Sequence, residues 1–221
     1  DGIRVQLVNV NSDTKIFSRN GEDITNSFPE IKVVSENLLV LDGELLVGKN
    51  FNVLSFGQLQ KRINKKKPTK ILLEELPAFV KVYDILFIDG KDIRANKFSS
   101  RRKILEKWFT EKNKYNLEIS KLIDYKSEDE LEKSYKKYPF IEGIMIKHKS
   151  STYNGLRKKG TWYKWKKNPK YLDVILMYAQ RGHGKRSSFF SDYTLGIWSK
   201  NSVIPIAKAY SGYTDKELQE L

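Results

Sequence analysis

The sequence predicts an α+β fold followed by a smaller, mostly β unit, and three observations predict it. Runs rich in Val, Ile, Leu and Tyr recur through residues 1–167, as in IRVQLVNV at 3–10 and AFVKVYDILFIDG at 78–90, the composition of β-strands. Between them lie stretches with Ser or Thr in front and an apolar helical rhythm, such as SSRRKILEKWF at 99–109 and SEDELEKSYKKY at 127–138. After NPKYLD at 168–173 only short strand-like runs and turns follow, until the last residues.

Taken in order, IRVQLVNV is a strand, NSD at 11–13 a turn, and TKIFSR at 14–19 a returning strand. SFPEIKVVSENLL at 27–39 has Ser27 as a cap and early Pro29 and Glu30, which predicts a helix. LLVLDGELLVG at 38–48 is strand-like on both sides of Asp42–Gly43, so it reads either as one strand or as a bulged hairpin. NVLSFGQLQKRIN at 52–64 is an amphipathic helix ended by KKKP, and TKILLEEL at 69–76 a short helix. The stretch 78–90 is a long strand. Helices follow at 99–109 and 127–138, with serines as caps and acids opening the second. FIEGIMIK at 140–147 and TWYKWKK at 161–167 are strands joined by a basic loop. DVILMYAQRG, DYTLGIWSK and VIPIAKAYS are three more, and TDKELQEL at 214–221 starts a helix. The expected domains are 1–167 and 168–221. Both ends read as cut, because Asp1 is not a start residue and the last helix is only beginning.

Composition narrows the chemistry. Forty-one Lys and Arg against 27 Asp and Glu leave a charge of +14, which favours a polyanionic partner. There is no cysteine and there are two histidines. Disulfides, thiolate metal sites and a Cys nucleophile are excluded, and a His-based zinc site is disfavoured. No apolar run is long enough to cross a bilayer, so a cytoplasmic location is expected.

Residues 147–167 carry eight Lys or Arg and no acid, with Tyr153, Trp162, Tyr163 and Trp165 interleaved. A solvated face mixes signs; a single-sign run among aromatics suggests phosphate binding. In a strand Lys164 and Lys166 share a face and Trp165 takes the other. Two ammonium groups side by side on a rigid strand can hold a phosphate whose charge is changing. Glu142 opens an apolar strand beside a glycine and suits a hard cation. Asp42 and Glu44 share a face around Gly43, and Arg19 follows a strand, where a guanidinium can grip phosphate.

DGIR, SRNG, LDGELL, VYDILFIDG, EGIMIK and WYKWKK succeed one another in that order. The chain thereby resembles the ATP-dependent DNA ligases of bacterial type, within the covalent nucleotidyltransferase superfamily. The resemblance implies a nucleotidyltransferase (ATP-grasp-like adenylation) domain with antiparallel sheets and flanking helices, then the first strands of an OB-fold domain, which YAQRGHGKRSSFFSDYTLGIW at 178–198 resembles. It implies nick sealing through lysyl-AMP and DNA-adenylate, with ATP and Mg²⁺ as cofactors, nicked duplex DNA as partner, and a monomer serving DNA repair, replication or recombination.

Residue by residue, Asp1, Gly2 and Arg4 match the family's Lys-x-Asp-Gly-x-Arg motif, whose nucleophilic lysine would precede Asp1 by two positions. The chain alone is therefore expected not to form lysyl-AMP. Lys164 and Lys166 match the Lys-x-Lys motif that holds the α-phosphate. Glu142 resembles the metal-binding carboxylate, and Lys147 closes its motif. Glu44 resembles the acid near the ribose or metal, and Tyr83 stands where an aromatic stacks on adenine. Arg4 and Arg19 resemble arginines that contact nucleotide and the nick 5′-phosphate. An arginine expected before the Lys-x-Lys strand is Arg157 by chemistry or Lys158 by spacing. Asn168 replaces an acid common in the swivel between domains. Arg181, Lys185 and Arg186 are expected on the DNA backbone. Alternatives within the superfamily are an RNA ligase or a capping guanylyltransferase; outside it, a catalytically dead nucleic-acid-binding module.

Overall fold

A computed structural model describes residues 2–63, 65–111, 116–136, 141–155, 159–166, 171–210, 212 and 214–220. Asp1, Arg157, Lys158 and Asn168 lie outside the described residues. The chain divides into two compact units, Asp1–Lys167 and Asn168–Leu221.

In the first unit β1 (Ile3–Val10), β2 (Asp13–Ser18), β3 (Leu39–Val47), α1 (Phe56–Ile63), α2 (Lys70–Glu75), β4 (Ala78–Ile88), β5 (Lys91–Asp92), α3 (Phe98–Glu111), β6 (Leu117–Ile119), α4 (Glu128–Lys136), β7 (Gly143–Lys147) and β8 (Trp162–Lys166) follow in order. The main sheet runs β2-β1-β3-β4-β5, antiparallel throughout, and β6 adds to β4 in parallel. β7 and β8 form a separate hairpin. Alternation decides which face is core. Val5 and Leu7 of β1, Leu41 and Leu45 of β3, and Val80 and Val82 of β4 are buried with Phe28, Ile31, Leu59 and Leu105. Arg4 and Gln6, and Asp42 and Glu44, then fall on the opposite face.

The helix expected over 27–39 is absent. Thr25–Ser27 make one 3-10 turn, and the chain then reaches β3 through a turn at Pro29–Glu30, a short extended run and a bend at Glu36–Asn37. The burial decides this: from Ile31 to Val34 the chain alternates, with Ile31 and Val33 in the core and Lys32 and Val34 facing out, a period of two rather than 3.6. Asn9 Nδ2 and Thr14 Oγ1 both donate to the Val33 carbonyl, and the Val33 amide donates to Thr14 Oγ1. LDGELL is a single strand rather than a hairpin.

Other elements form for local reasons. Thr69 caps α2 through Leu72 N. Ser127 Oγ accepts from Glu130 N, and Glu130 accepts from Lys126 N, a reciprocal cap at α4. The serines expected to cap α3 lie inside its first turn; the helix starts at Phe98. Its leading amides donate instead to the carbonyls of Ser151 (2.7 Å) and Lys149 (2.9 Å), in the loop after β7.

Gly143 sits where β7 and β8 nearly touch. A Cβ there would press on the Trp165 carbonyl and stand 2.9 Å from Lys166 Cα. Gly143→Ala is expected to open the hairpin and destabilise the unit by about 1–3 kcal/mol, read as a lower urea midpoint at unchanged slope.

The second unit holds β9 (Ile175–Arg181), β10 (Phe190–Ser199) and β11 (Ser202–Ala209), an antiparallel sheet in the order β11-β10-β9, and α5 (Asp215–Glu220). A 3-10 turn at Gly184–Arg186 interrupts the link from β9 to β10.

Candidate nucleotide-binding site

The polar face of the sheet converges on one carboxylate. Asp42 has a fully buried side chain. Arg4, one strand away, holds it with two bonds, Nε to Oδ1 at 3.0 Å and Nη2 to Oδ2 at 2.8 Å. Tyr83 donates to Oδ1 at 3.0 Å and Tyr153 to Oδ2 at 2.7 Å. Four donors on two oxygens match the capacity of an ionised carboxylate. The hydrogen bonds to Asp42 push the Arg4 guanidinium further above its ordinary value. Burial, then the Asp42 charge, pushes the Tyr83 phenol up as well.

A bulge delivers Tyr83. β3 and β4 pair Asp42 with Asp84 but Gly43 with Val82, so Tyr83 is the extra residue. Bulges re-aim side chains, and here two neighbours serve two partners. Tyr83 reaches Asp42, while Asp84 accepts from Arg101 of α3 at Oδ1 and Oδ2, both at 2.9 Å. Arg101 and Asp84 have fully buried side chains. Arg101 Nη1 also donates to the carbonyls of Asn96 (2.5 Å) and Ser151 (3.4 Å).

Glu44 lies two residues along β3 on the same face. Burial pushes its carboxyl up; the Lys164 charge opposes this, and Glu142 and Asp42 reinforce it. Glu142 and Lys164 are therefore both within electrostatic reach of Glu44. Lys166 pairs with Gly143, next to Glu142 in the chain. Lys164 and Lys166 are exposed and Trp165 half-buried, the division expected from alternation.

Lys147 occupies an aromatic cage. Its ammonium stands 4.2 Å from the Trp162 ring centroid, 4.5 Å from Tyr83 and 5.0 Å from Phe98. The Tyr83 ring, expected under adenine, thus packs on Lys147. Burial lowers the Lys147 pKa to about 8. Between that value and the ordinary 10.5 the unfolded chain carries a proton that the folded chain lacks. Stability relative to Lys147→Met is therefore expected to rise with pH across this window, by about 2–3 kcal/mol. Urea titrations at a series of pH values check this, and a flat difference refutes it.

Arg19 lies in a cleft of 230 Å³ with Arg4, Val5, Gln6, Phe17, Ser18 and Gly21. In the second unit Arg186 Nε is bonded to Asp215 at 2.9 Å, and Arg181 stands 5.8 Å from the Phe190 ring centroid. Lys185 is exposed.

Sequence reasoning brought Arg4, Glu44, Tyr83, Lys147, Glu142 and Lys164 into consideration, and the structure gathers them around one face. It missed Tyr153, Arg101 and Asp84, and gave Asp42 no role. The only signal for Tyr153 was its place in the basic run. Among the described residues no group of three or more His, Cys, Asp or Glu is arranged to hold a metal ion. Glu44 and Glu142 are two hard oxygen donors, and the Glu142 charge raises the cost of charging Glu44. A divalent cation completed by phosphate and water fits such a pair.

Comparisons with known proteins identify the family. Residues 1–166 match the family model described as ATP dependent DNA ligase domain. The chain is 31% identical over 248 residues to a probable DNA ligase of Koribacter versatilis, covering 100% of this chain and 43% of that protein. It is 33% identical over 230 residues to the DNA ligase of Methanococcus aeolicus, covering 100% and 41%. The chain thus spans about two fifths of the length of these relatives. Among solved structures it resembles the ligase domain of M. tuberculosis LigD, at TM-score 0.59 and 23% identity over 100% of this chain and 68% of that one. It also resembles a mycobacterial DNA ligase D complexed with ATP and MES, at TM-score 0.62 and 22% identity over 100% and 67%. These structural likenesses establish the nucleotidyltransferase fold, and with the match over residues 1–166 they lead to one assignment: the chain belongs to the ATP-dependent DNA ligase domain family.

Proposed function

We propose that the full-length protein is an ATP-dependent DNA ligase that seals nicks in duplex DNA through lysyl-AMP and DNA-adenylate intermediates. The observation that carries this reading is the Asp42-centred array, which places Arg4 and Glu44 on one sheet face together with Lys147 and Lys164. Residues 1–167 act as the adenylation domain and 168–221 as the start of an OB-fold domain.

The roles follow from charge and placement. Arg4, fixed by Asp42, presents its free edge to the nucleotide. Lys164 and Lys166 neutralise the α-phosphate as the transferred group develops charge. Their charges also favour the neutral, nucleophilic form of the family lysine, two positions before Asp1, and Asp1 orients that turn. Tyr83 stacks on adenine once Lys147 yields its face, and Lys147 moves toward phosphate. Arg157 or Lys158 adds a further phosphate contact. Glu142 and Glu44 would hold Mg²⁺, which when bound would supply charge neutralisation to the phosphates. Arg19 takes the nick 5′-phosphate, and Arg181, Lys185 and Arg186 take the DNA backbone, giving salt-sensitive binding without sequence readout. The enzyme acts as a cytoplasmic monomer in DNA repair, replication or recombination.

The test is intact mass of the full-length protein after incubation with ATP or GTP and Mg²⁺, with residues 1–221 alone as control. An AMP adduct on the full-length protein alone, from ATP alone, is expected, followed by sealing of a nicked duplex. A GMP adduct would reassign the protein to capping, and no adduct would leave a binding module.

A further inference from the structure

We propose that Tyr153 is a positioning residue for nucleotide capture: its hydroxyl ties the loop between β7 and β8 to β1 and β3, and so sets the direction of the Arg4 guanidinium. The inference rests on the ligase reading above.

A phenol offers one proton and two lone pairs. All three are used here. The proton goes to Asp42 Oδ2 at 2.7 Å. The lone pairs accept from Arg4 Nη2 and from Gln6 Nε2, the latter at 3.3 Å. One side chain from a loop therefore touches two neighbouring residues of β1's polar face and the carboxylate of β3.

Arg4 is consequently gripped at two of its three nitrogens. Nε and Nη2 are bound to Asp42, and Nη2 is shared with Tyr153. Nη1 has no hydrogen-bond partner among the described residues, and the side chain is 42% exposed. A planar fork held along one edge presents the other edge in a fixed direction. Without the phenol, Asp42 still attracts Arg4, but the guanidinium has lost the contact that resists rotation within that pair.

The rest of Tyr153 is held independently of that bond. Tyr153 is placed by its backbone, which donates to the Arg94 carbonyl at 2.8 Å, and by its ring, which packs edge-on against Trp162 at 5.9 Å and under Arg101 at 5.8 Å. These contacts do not involve the hydroxyl. Trp162 begins the strand that carries Lys164 and Lys166 and forms one wall around Lys147. Tyr153 thus links the strand bearing Lys164 and Lys166, through its ring on Trp162, to Arg4, through its hydroxyl. The phenol pKa is pushed up to about 12, by burial first and then by Asp42, so the proton stays in place at working pH.

Tyr153→Phe removes the hydroxyl and keeps the ring. In the full-length protein, self-adenylylation with ATP is measured for wild type, Tyr153→Phe, Arg4→Lys and the double variant, with thermal unfolding alongside. Loss of one charge-assisted hydrogen bond predicts a KM for ATP raised about tenfold in Tyr153→Phe. The maximal rate is expected to fall less than about threefold. In the Arg4→Lys background the same change is expected to raise KM less than about twofold, because the group it positions is gone. An unchanged KM in Tyr153→Phe would overturn the proposal. So would a full tenfold effect persisting in Arg4→Lys, since Tyr153 would then act independently of Arg4. A fall in active fraction and melting temperature at constant KM would mark a purely structural role and would also overturn it. If wild type forms no AMP adduct, the ligase reading fails and this inference falls with it; a wild-type adduct with an indifferent Tyr153→Phe sinks the inference alone.

Discussion

Asp42→Asn is expected to lower ATP-dependent self-adenylylation of the full-length protein about a hundredfold or more, the loss that follows when a positioned group is displaced by about an ångström. Both carboxylate oxygens accept, Oδ1 from Arg4 Nε and Tyr83, Oδ2 from Arg4 Nη2 and Tyr153. An asparagine has one acceptor oxygen. Whichever way its amide turns, two N–H groups meet two donors, and the guanidinium loses its buried countercharge. Arg4 is partly exposed, so water recovers some of the loss and the stability change is expected to be roughly 2–4 kcal/mol. Adduct formation by mass and urea unfolding, measured on the same preparation, separate the two effects. A variant that folds with wild-type stability and adenylylates normally would show that Arg4 does not depend on Asp42.

Arg101→Met is expected to produce the largest loss of stability, about 3–5 kcal/mol, because Asp84 is left charged in the interior. The pair is fully buried, and Arg101 also satisfies the Asn96 and Ser151 carbonyls. The double change Arg101→Met with Asp84→Leu removes both charges and is expected to recover much of the loss. Recovery stays incomplete, because the Asn96 carbonyl loses its Arg101 donor, while the Ser151 carbonyl keeps the Phe98 amide. Urea midpoints of the three variants check this. A double variant no more stable than Arg101→Met would mean that the carbonyl bonds, rather than the ion pair, hold the region together.

What the sequence made legible divides along a physical line. Strand β4 could be read from its own residues, since β-branched and aromatic side chains over eleven positions leave few alternatives. The hairpin carrying Lys164 and Lys166 was equally local, with alternation placing both lysines on one side. The helix expected over 27–39 failed because Ser27, Pro29 and Glu30 look like a helix start while burial of Ile31 and Val33, with Lys32 and Val34 facing out, demands an extended chain there. Tertiary packing overrode a local signal. The cap of α3 was misread for a related reason: its serines are plausible, yet carbonyls some fifty residues away in the loop after β7 satisfy the helix amides. The site was partly legible through the order of its motifs, which located Arg4, Glu44, Tyr83, Glu142, Lys147 and Lys164. No spacing rule could reveal that Asp42 collects Tyr153, or that a bulge at Tyr83 frees Asp84 for Arg101. Those are consequences of pairing register.

The bond between Asp42 and Tyr153 spans 111 residues, and that between Arg4 and Asp42 spans 38. Local hairpins close early because short loops lose little entropy; long closures come later. During refolding, β1, β2 and β3 can associate while Tyr153 is still far away, leaving Arg4 tethered by Asp42 alone. The fixed direction of Arg4 is therefore expected to appear after sheet formation, with the return of the Tyr153 loop.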